Sequence, residues 1–177
     1  MRDHYVLQDR YIDRYNSLRT RRRLTPAEQA ELIYNYGGAR LHNLYWRSLI
    51  PEGAGVPRRS RLAVELRRKG GASETAQAMS RAAAKIQGSG WVALTWSHDP
   101  HYPERGFLDV RTAHNHDLAA VEGGQGALVT RVPLVVMDVW EHAWYLDRGP
   151  AKGEYFRAFR RLINWPAAAM TLDDVLE

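Results

Sequence analysis

The 177 residues are 45% hydrophobic, enough to bury a core as one domain or as two small units sharing an interface, and too apolar for a disordered chain. No cysteine is present, which excludes disulfides, thiolate-bound zinc, iron-sulfur clusters and cysteine nucleophiles, and leaves histidine and carboxylate as the strong metal ligands. A net charge of +5 and a pI near 9.7 raise the question of nucleic acid, but the charge is spread along the chain without a helix-turn-helix, zinc-finger or RNA-binding pattern, so nucleic acid is not expected. No apolar run is long enough to span a bilayer, so no membrane partner is expected, and the charged opening Met-Arg-Asp-His-Tyr makes the cytoplasm the expected compartment.

In chain order, Met1 to Arg23 reads as one helix with Tyr5, Leu7, Tyr11, Ile12, Tyr15 and Leu18 as its less polar positions. His4 and Tyr11 are seven residues apart, which at about 100° per residue sets them within roughly 20° of one face. By itself, a histidine in a first turn is usually solvated. Four arginines between Arg19 and Arg23 close the helix with charge that suits its C-terminal end, and a solvated basic helix end is the plain reading of them. Thr25-Pro26-Ala27-Glu28 carries the signals of a helix start: Thr at the N-cap, Pro in the first turn and Glu placed to complete a capping box. A second helix to about Ile50 then forms an antiparallel hairpin with the first. Inside it stand Gly37 and Gly38, each costing a helix about 1 kcal/mol relative to Ala, which points to a close approach rather than to propensity. His42 lies one turn beyond Gly38.

The Gly- and Pro-rich stretch Pro51 to Arg59 reads as a linker, dividing residues 1–55 from residues 56–177. Beyond it come helices at Ser60 to Arg68 and Ser73 to Gln87, then strands at Trp91 to Trp96, Phe107 to Thr112 and Val132 to Met137. His98 to Gly106 reads as a polar loop with His98 and His101 exposed. His114 and His116 alternate after the second strand, with no third ligand close enough in sequence to make a zinc site. The third strand ends on Asp138, and Asp138 and His142, four apart, can share one side of a first helical turn among Trp140, Trp144 and Tyr145. The spacing alone also fits an N-cap Asp with a satisfied core His. A last helix is expected over Tyr155 to Asn164, with Phe156, Phe159, Leu162 and Ile163 facing inward.

Asp138-Val139-Trp140-Glu141-His142-Ala143, followed by an aromatic and Tyr145, resembles the C-terminal signature of the iron/manganese superoxide dismutases. The segments His4 to Asn16, Asn35 to Trp46, Gly88 to Trp91, Asn115 to Asp117 and Asn164-Trp165 resemble further motifs of that family, in family order. The resemblance implies an α+β fold: an N-terminal antiparallel helical hairpin packed on a C-terminal α/β domain with a small three-stranded antiparallel sheet. It implies an oxidoreductase that converts superoxide to oxygen and hydrogen peroxide by redox cycling of one bound iron or manganese ion per chain, held by His4, His42, Asp138 and His142. Tyr11 would stand at the substrate channel and His116 would orient the solvent on the metal, with His114 as an alternative because the alignment needs one inserted residue. Trp46, Trp91 and Trp140 would exclude water, and Glu141 and Tyr145 would reach across a homodimer interface. The chain departs from the family pattern at Leu7 or Gln8, where a second His is common, at Lys152, where many members carry Arg, and at Ala93, where many carry Trp. The alternative is a metal-poor relative keeping the fold as a structural or interaction protein; loss of a ligand would favour it, and none is lost.

Overall fold

The computed structural model describes residues 2–124 and 127–177, so Met1, expected in the first helix, lies outside the described residues. Helix α1 (Arg2–Arg19) and helix α2 (Pro26–Arg47) form the expected antiparallel hairpin. Thr25 caps α2 as its sequence predicts, with the capping box closed in both directions: the Glu28 amide donates to Thr25 Oγ1, and the Thr25 amide to Glu28 Oε2 at 2.9 Å. Helix α1 stops four residues short of Arg23, where Thr20 turns its hydroxyl back onto the Ser17 carbonyl and the arginine run follows. Arg14 grips Glu31 through two 2.6 Å hydrogen bonds and Arg21 pairs with Glu28, aligning the two helices.

Helices α3 (Arg61–Arg68) and α4 (Ala72–Ala84) follow the linker and lead into a sheet of strands β1 (Gly90–Asp99), β2 (Tyr102–His114) and β3 (Thr130–Asp138), ordered β2-β1-β3 and antiparallel throughout. The strands exceed the expected ones because β1 and β2 continue into a tight hairpin where a polar loop was expected. Trp96 holds that hairpin: its indole N–H donates to the Pro103 carbonyl at 2.9 Å, and its ring lies flat against Gly106, where any side chain would collide with it. His98 is consequently buried, 8% exposed, and bonds the Asp99 carbonyl through Nδ1, correcting its expected exposure; His101 is exposed as expected. Pro133 is tolerated in β3 because that strand is an edge and the register slips beside it, between Leu94 and Thr95.

Three short or late helices complete the chain: α5 (Leu118–Glu122), α6 (Tyr145–Arg148) and, after α7 (Lys152–Leu162), α8 (Trp165–Leu176). None of these three was expected. Helix α8 starts on Asn164, whose side chain accepts from the Ala167 amide, with Pro166 in its first turn, and it buries Trp165, Ala168, Ala169 and Leu172. Helix α7 begins three residues earlier than expected; Phe156, Phe159 and Ile163 are buried as predicted, whereas Leu162 is 37% exposed. The end of α2 is stitched to both the sheet and this late pair. Ser48 Oγ accepts the Val136 amide on the open edge of β3 at 2.8 Å, and the Ser48 carbonyl accepts the Asn164 amide at 2.8 Å. The helical hairpin is thereby fixed against the C-terminal end of β3. No helix among the described residues is long and apolar enough to cross a membrane.

Candidate metal centre

Four side chains from four places in the sequence meet at that junction. His4 comes from the first turn of α1, His42 from the middle of α2, Asp138 from the last residue of β3 and His142 from the 3-10 turn Glu141–Ala143. One ligand atom from each lies within 4.8 Å of all the others. His4 Nε2 and His142 Nε2 are each 3.1 Å from Asp138 Oδ2, and His42 Nε2 is 3.8 Å from the same oxygen. Asp138 and His42 are fully buried and His4 is 7% exposed.

Asp138 and His142 converge by a route other than the expected helical turn. Asp138 is still in the sheet, Trp140 is extended, and only then does the 3-10 turn begin. The carboxylate itself holds the reversal, because its Oδ1 accepts the Trp140 amide at 2.8 Å while Oδ2 faces the imidazoles. Its backbone carbonyl accepts the Tyr155 hydroxyl at 2.7 Å, so strand end, turn and α7 are tied at one residue. Burial opposes ionisation of Asp138, yet the hydrogen bonds from His142 and His4 and the nearby imidazoles bring its pKa down to about 2.

His42 has a fixed orientation. Its Nδ1 donates to the Gly38 carbonyl at 2.7 Å, which leaves the Nε2 lone pair facing the other three side chains. Burial lowers its pKa to about 4, so the ring is neutral at pH 7. Among the described residues its Nε2 has no hydrogen-bond partner despite being inaccessible. A buried, unpaired imidazole nitrogen beside a shared carboxylate oxygen costs free energy, and a cation at their centre would remove that cost. Three imidazoles and one carboxylate form an N/O donor set suited to a borderline transition-metal ion. The residues present therefore fit a metal.

The glycine pair explains how α2 comes so close. A Cβ on Gly38 would sit 2.9 Å from the Tyr11 ring, and one on Gly37 would run into the His116 carbonyl oxygen. Both predicted second-layer residues are thereby pressed against the helix that carries His42. The Tyr11 ring lies 5.5 Å from His42 and 4.7 Å from His116, centroid to centroid. Its phenol pKa is raised, chiefly by burial and then by Tyr34 and Asp138, so it keeps its proton at neutral pH.

His116, not His114, is the inward residue: His114 is exposed at the end of β2, whereas His116 is 3% exposed. The Trp91 indole N–H donates to His116 Nδ1 at 3.2 Å, which sets the remaining proton on Nε2. Burial pushes the His116 pKa down to about 3, so the ring stays neutral, and its Nε2 finds no partner among the described residues. Trp140 stacks on His116 at 4.6 Å and on His142 at 5.6 Å, Trp46 meets His4 edge-on at 4.7 Å, and Trp91 meets His42 at 5.0 Å. The three expected tryptophans do wall the site.

Of Leu7 and Gln8, Gln8 takes the inward place: its amide donates to Asn43 Oδ1 at 2.6 Å and accepts from the Trp46 indole at 2.7 Å. Lys152, at the start of α7, holds its ammonium over the Trp144 ring at 5.7 Å, and burial lowers its pKa against the pull of Glu141. The sequence reading missed Tyr34, whose ring lies 4.7 Å from His116, and Tyr155. Tyr34 had a legible signal, since it stands four residues before Gly38 and eight before His42 on one helical face. Tyr155 had none, because its partner is a backbone carbonyl 17 residues away.

Residues 59–171 match the family described as iron/manganese superoxide dismutases, C-terminal domain. The manganese superoxide dismutase of Schizosaccharomyces pombe, mitochondrial by name, is 37% identical over 146 residues, covering 80% of this chain and 60% of the relative. Manganese superoxide dismutase 1 of Arabidopsis thaliana, also mitochondrial, is 35% identical over 144 residues, covering 80% of this chain and 58% of the relative. Manganese superoxide dismutase 3.4 of Zea mays, again mitochondrial, is 32% identical over 151 residues, covering 84% of this chain and 60% of the relative. The chain thus spans about 60% of the length of these relatives.

Proposed function

This chain belongs to the iron/manganese superoxide dismutase family, and from that premise we propose that it converts superoxide to oxygen and hydrogen peroxide at one iron or manganese ion held by His4, His42, Asp138 and His142. The observation that carries the reading is the convergence of these four ligand atoms within 4.8 Å, with the buried His42 Nε2 left unpaired. When bound, the ion supplies a one-electron couple between its +2 and +3 states, so that one superoxide leaves as oxygen and a second, with two protons, as hydrogen peroxide.

The chain's own residues supply the rest. Asp138 gives the single negative charge, kept ionised by the imidazoles around it and oriented by the Trp140 amide. The Gly38 carbonyl holds His42 in the tautomer that offers Nε2. In this reading Tyr11 and His116 act as the catalytic pair beside the ligands: each keeps a proton at neutral pH, Tyr11 on its phenol and His116 on Nε2, within reach of a small anion. Trp46, Trp91 and Trp140 exclude bulk water, which strengthens every charge interaction inside. We take residues 1–55 and 56–177 as the two units whose junction forms the site, and a homodimer through the exposed Glu141 and Tyr145 as the assembly.

Elemental analysis of the purified protein, with superoxide dismutation measured before and after metal removal, tests the reading. The expected result is about one iron or manganese per chain and activity that returns with the ion. A folded chain that stays empty when offered either ion and shows no dismutation would overturn it.

A further inference from the structure

A cavity of about 260 Å³ opens on the far side of His4 and His142 from Tyr11 and His116. Those two histidines form part of its lining, whereas Tyr11, Tyr34 and His116 take no part in it. Its walls are apolar and aromatic, with Tyr45, Trp46, Trp144 and Phe159 among them. Its charged lining residues, Asp3, Asp147 and Arg148, are exposed on α1 and α6 and carry two negative charges against one positive. On the other side of the centre the Tyr11 ring and the His116 backbone press on the two glycines of α2, Trp140 stacks on His116, and among the described residues no acidic side chain but the proposed ligand Asp138 faces Tyr11 or His116.

A route edged by a carboxylate excess and ending on two imidazoles suits a cation and repels superoxide, an anion. We infer that this cavity is the loading path of the metal centre, a passage by which a hydrated divalent cation is gathered by Asp3 and Asp147 and handed to His4 and His142. The inference rests on the metal-centre reading above. Its chemistry is ligand exchange: waters leave the cation as imidazole nitrogens replace them, and the apolar walls offer no competing ligand on the way. A long-range carboxylate pair acts mainly on the association rate, whereas narrowing a passage slows entry and exit alike and leaves the equilibrium untouched.

The test uses the metal-free chain and Co²⁺ as the probe, following its visible absorption on binding and its transfer to a chelator on release. Wild type should take up about one Co²⁺ per chain. The double substitution Asp3→Asn, Asp147→Asn should slow uptake on the order of tenfold at low salt, with the difference shrinking as ionic strength rises. Ala158→Phe, which fills the cavity from α7, should slow uptake and release by the same factor with affinity unchanged, a pattern that damage to the site would not give. The carboxylate variant, altered only at exposed positions, carries the test if the packed variant does not fold. Wild-type rates in both variants, with one ion bound, overturn the loading path and leave the metal centre standing. A wild-type chain that binds no Co²⁺, Mn²⁺ or Fe²⁺ overturns both.

Discussion

Asp138 is the residue on which the site turns. It is fully buried, accepts the Trp140 amide on one oxygen and faces three imidazoles with the other. Asp138→Asn keeps the volume and removes the charge, so metal content should fall below about a tenth of an ion per chain and dismutation to background, since a neutral amide cannot replace a ligating carboxylate. Elemental analysis of the variant, beside circular dichroism to show that it folds, checks this. The imidazoles set a pH dependence in the metal-free chain. His42 and His116 titrate near 4 and 3 in the fold, against 6.5 for a free imidazole, because burial disfavours their charged forms. Between these values the unfolded chain binds protons that the fold does not, so stability is full above pH 6.5 and falls as the pH drops towards 4. Asp138, depressed to about 2 from 3.8, adds a further loss below pH 4. Thermal unfolding of the metal-free protein at pH 8, 6 and 4.5 should show this decline, and a midpoint flat across the three would contradict it.

At the scale of elements, Gly37 of α2 and Gly153 of α7 separate two roles that the sequence writes with the same letter. Gly37 sits under the His116 carbonyl, so Gly37→Ala forces backbone apart and should destabilise the protein by about 1–3 kcal/mol, outweighing the roughly 1 kcal/mol that Ala gains in helix propensity. Gly153 in α7 has nothing nearer its would-be Cβ than Arg157 Nη1 at 4.0 Å. Gly153→Ala should therefore stabilise by about 0.4–1 kcal/mol. Urea unfolding of the two variants under identical conditions should move in opposite directions; movement in the same direction would mean that the helix–loop contact at His116 carries no cost.

For the whole molecule, the proposed metal joins side chains 134 residues apart, His4 and Asp138. An ion that binds only the folded arrangement stabilises it by mass action, about 2.7 kcal/mol at a free concentration one hundred times its Kd. Adding Mn²⁺ to the metal-free protein should raise the unfolding midpoint in a concentration-dependent way, and a chelator should reverse it. A midpoint indifferent to Mn²⁺ and Fe²⁺ would separate the fold from metal binding. Because α2 is also tied to β3 through Ser48, the metal-free chain should still unfold from a folded baseline rather than begin unfolded.

The sequence by itself carried the hairpin, the three strands in order and the capping box at Thr25, and through its resemblance to a known family it carried the identities of all four converging side chains. Each of these is either local, written within a turn or two by caps and periodicity, or tied to a short motif such as Asp138 to Ala143. It could not carry the burial of His98, which depends on a hairpin pinned by Trp96 to a carbonyl seven residues away, whereas α8 has local start signals in Asn164 and Pro166 and owes only its place to α3 and β3. The choice between His114 and His116 was likewise tertiary. His114 ends β2 and His116 lies two residues beyond it, but only the glycine groove of α2 and the indole of Trp91 supply a closed space and a donor, and they supply it to His116 alone. Side-chain identity is a property of the chain; which nitrogen is left buried and unpaired, and so available to a metal, is decided only when distant elements close around it.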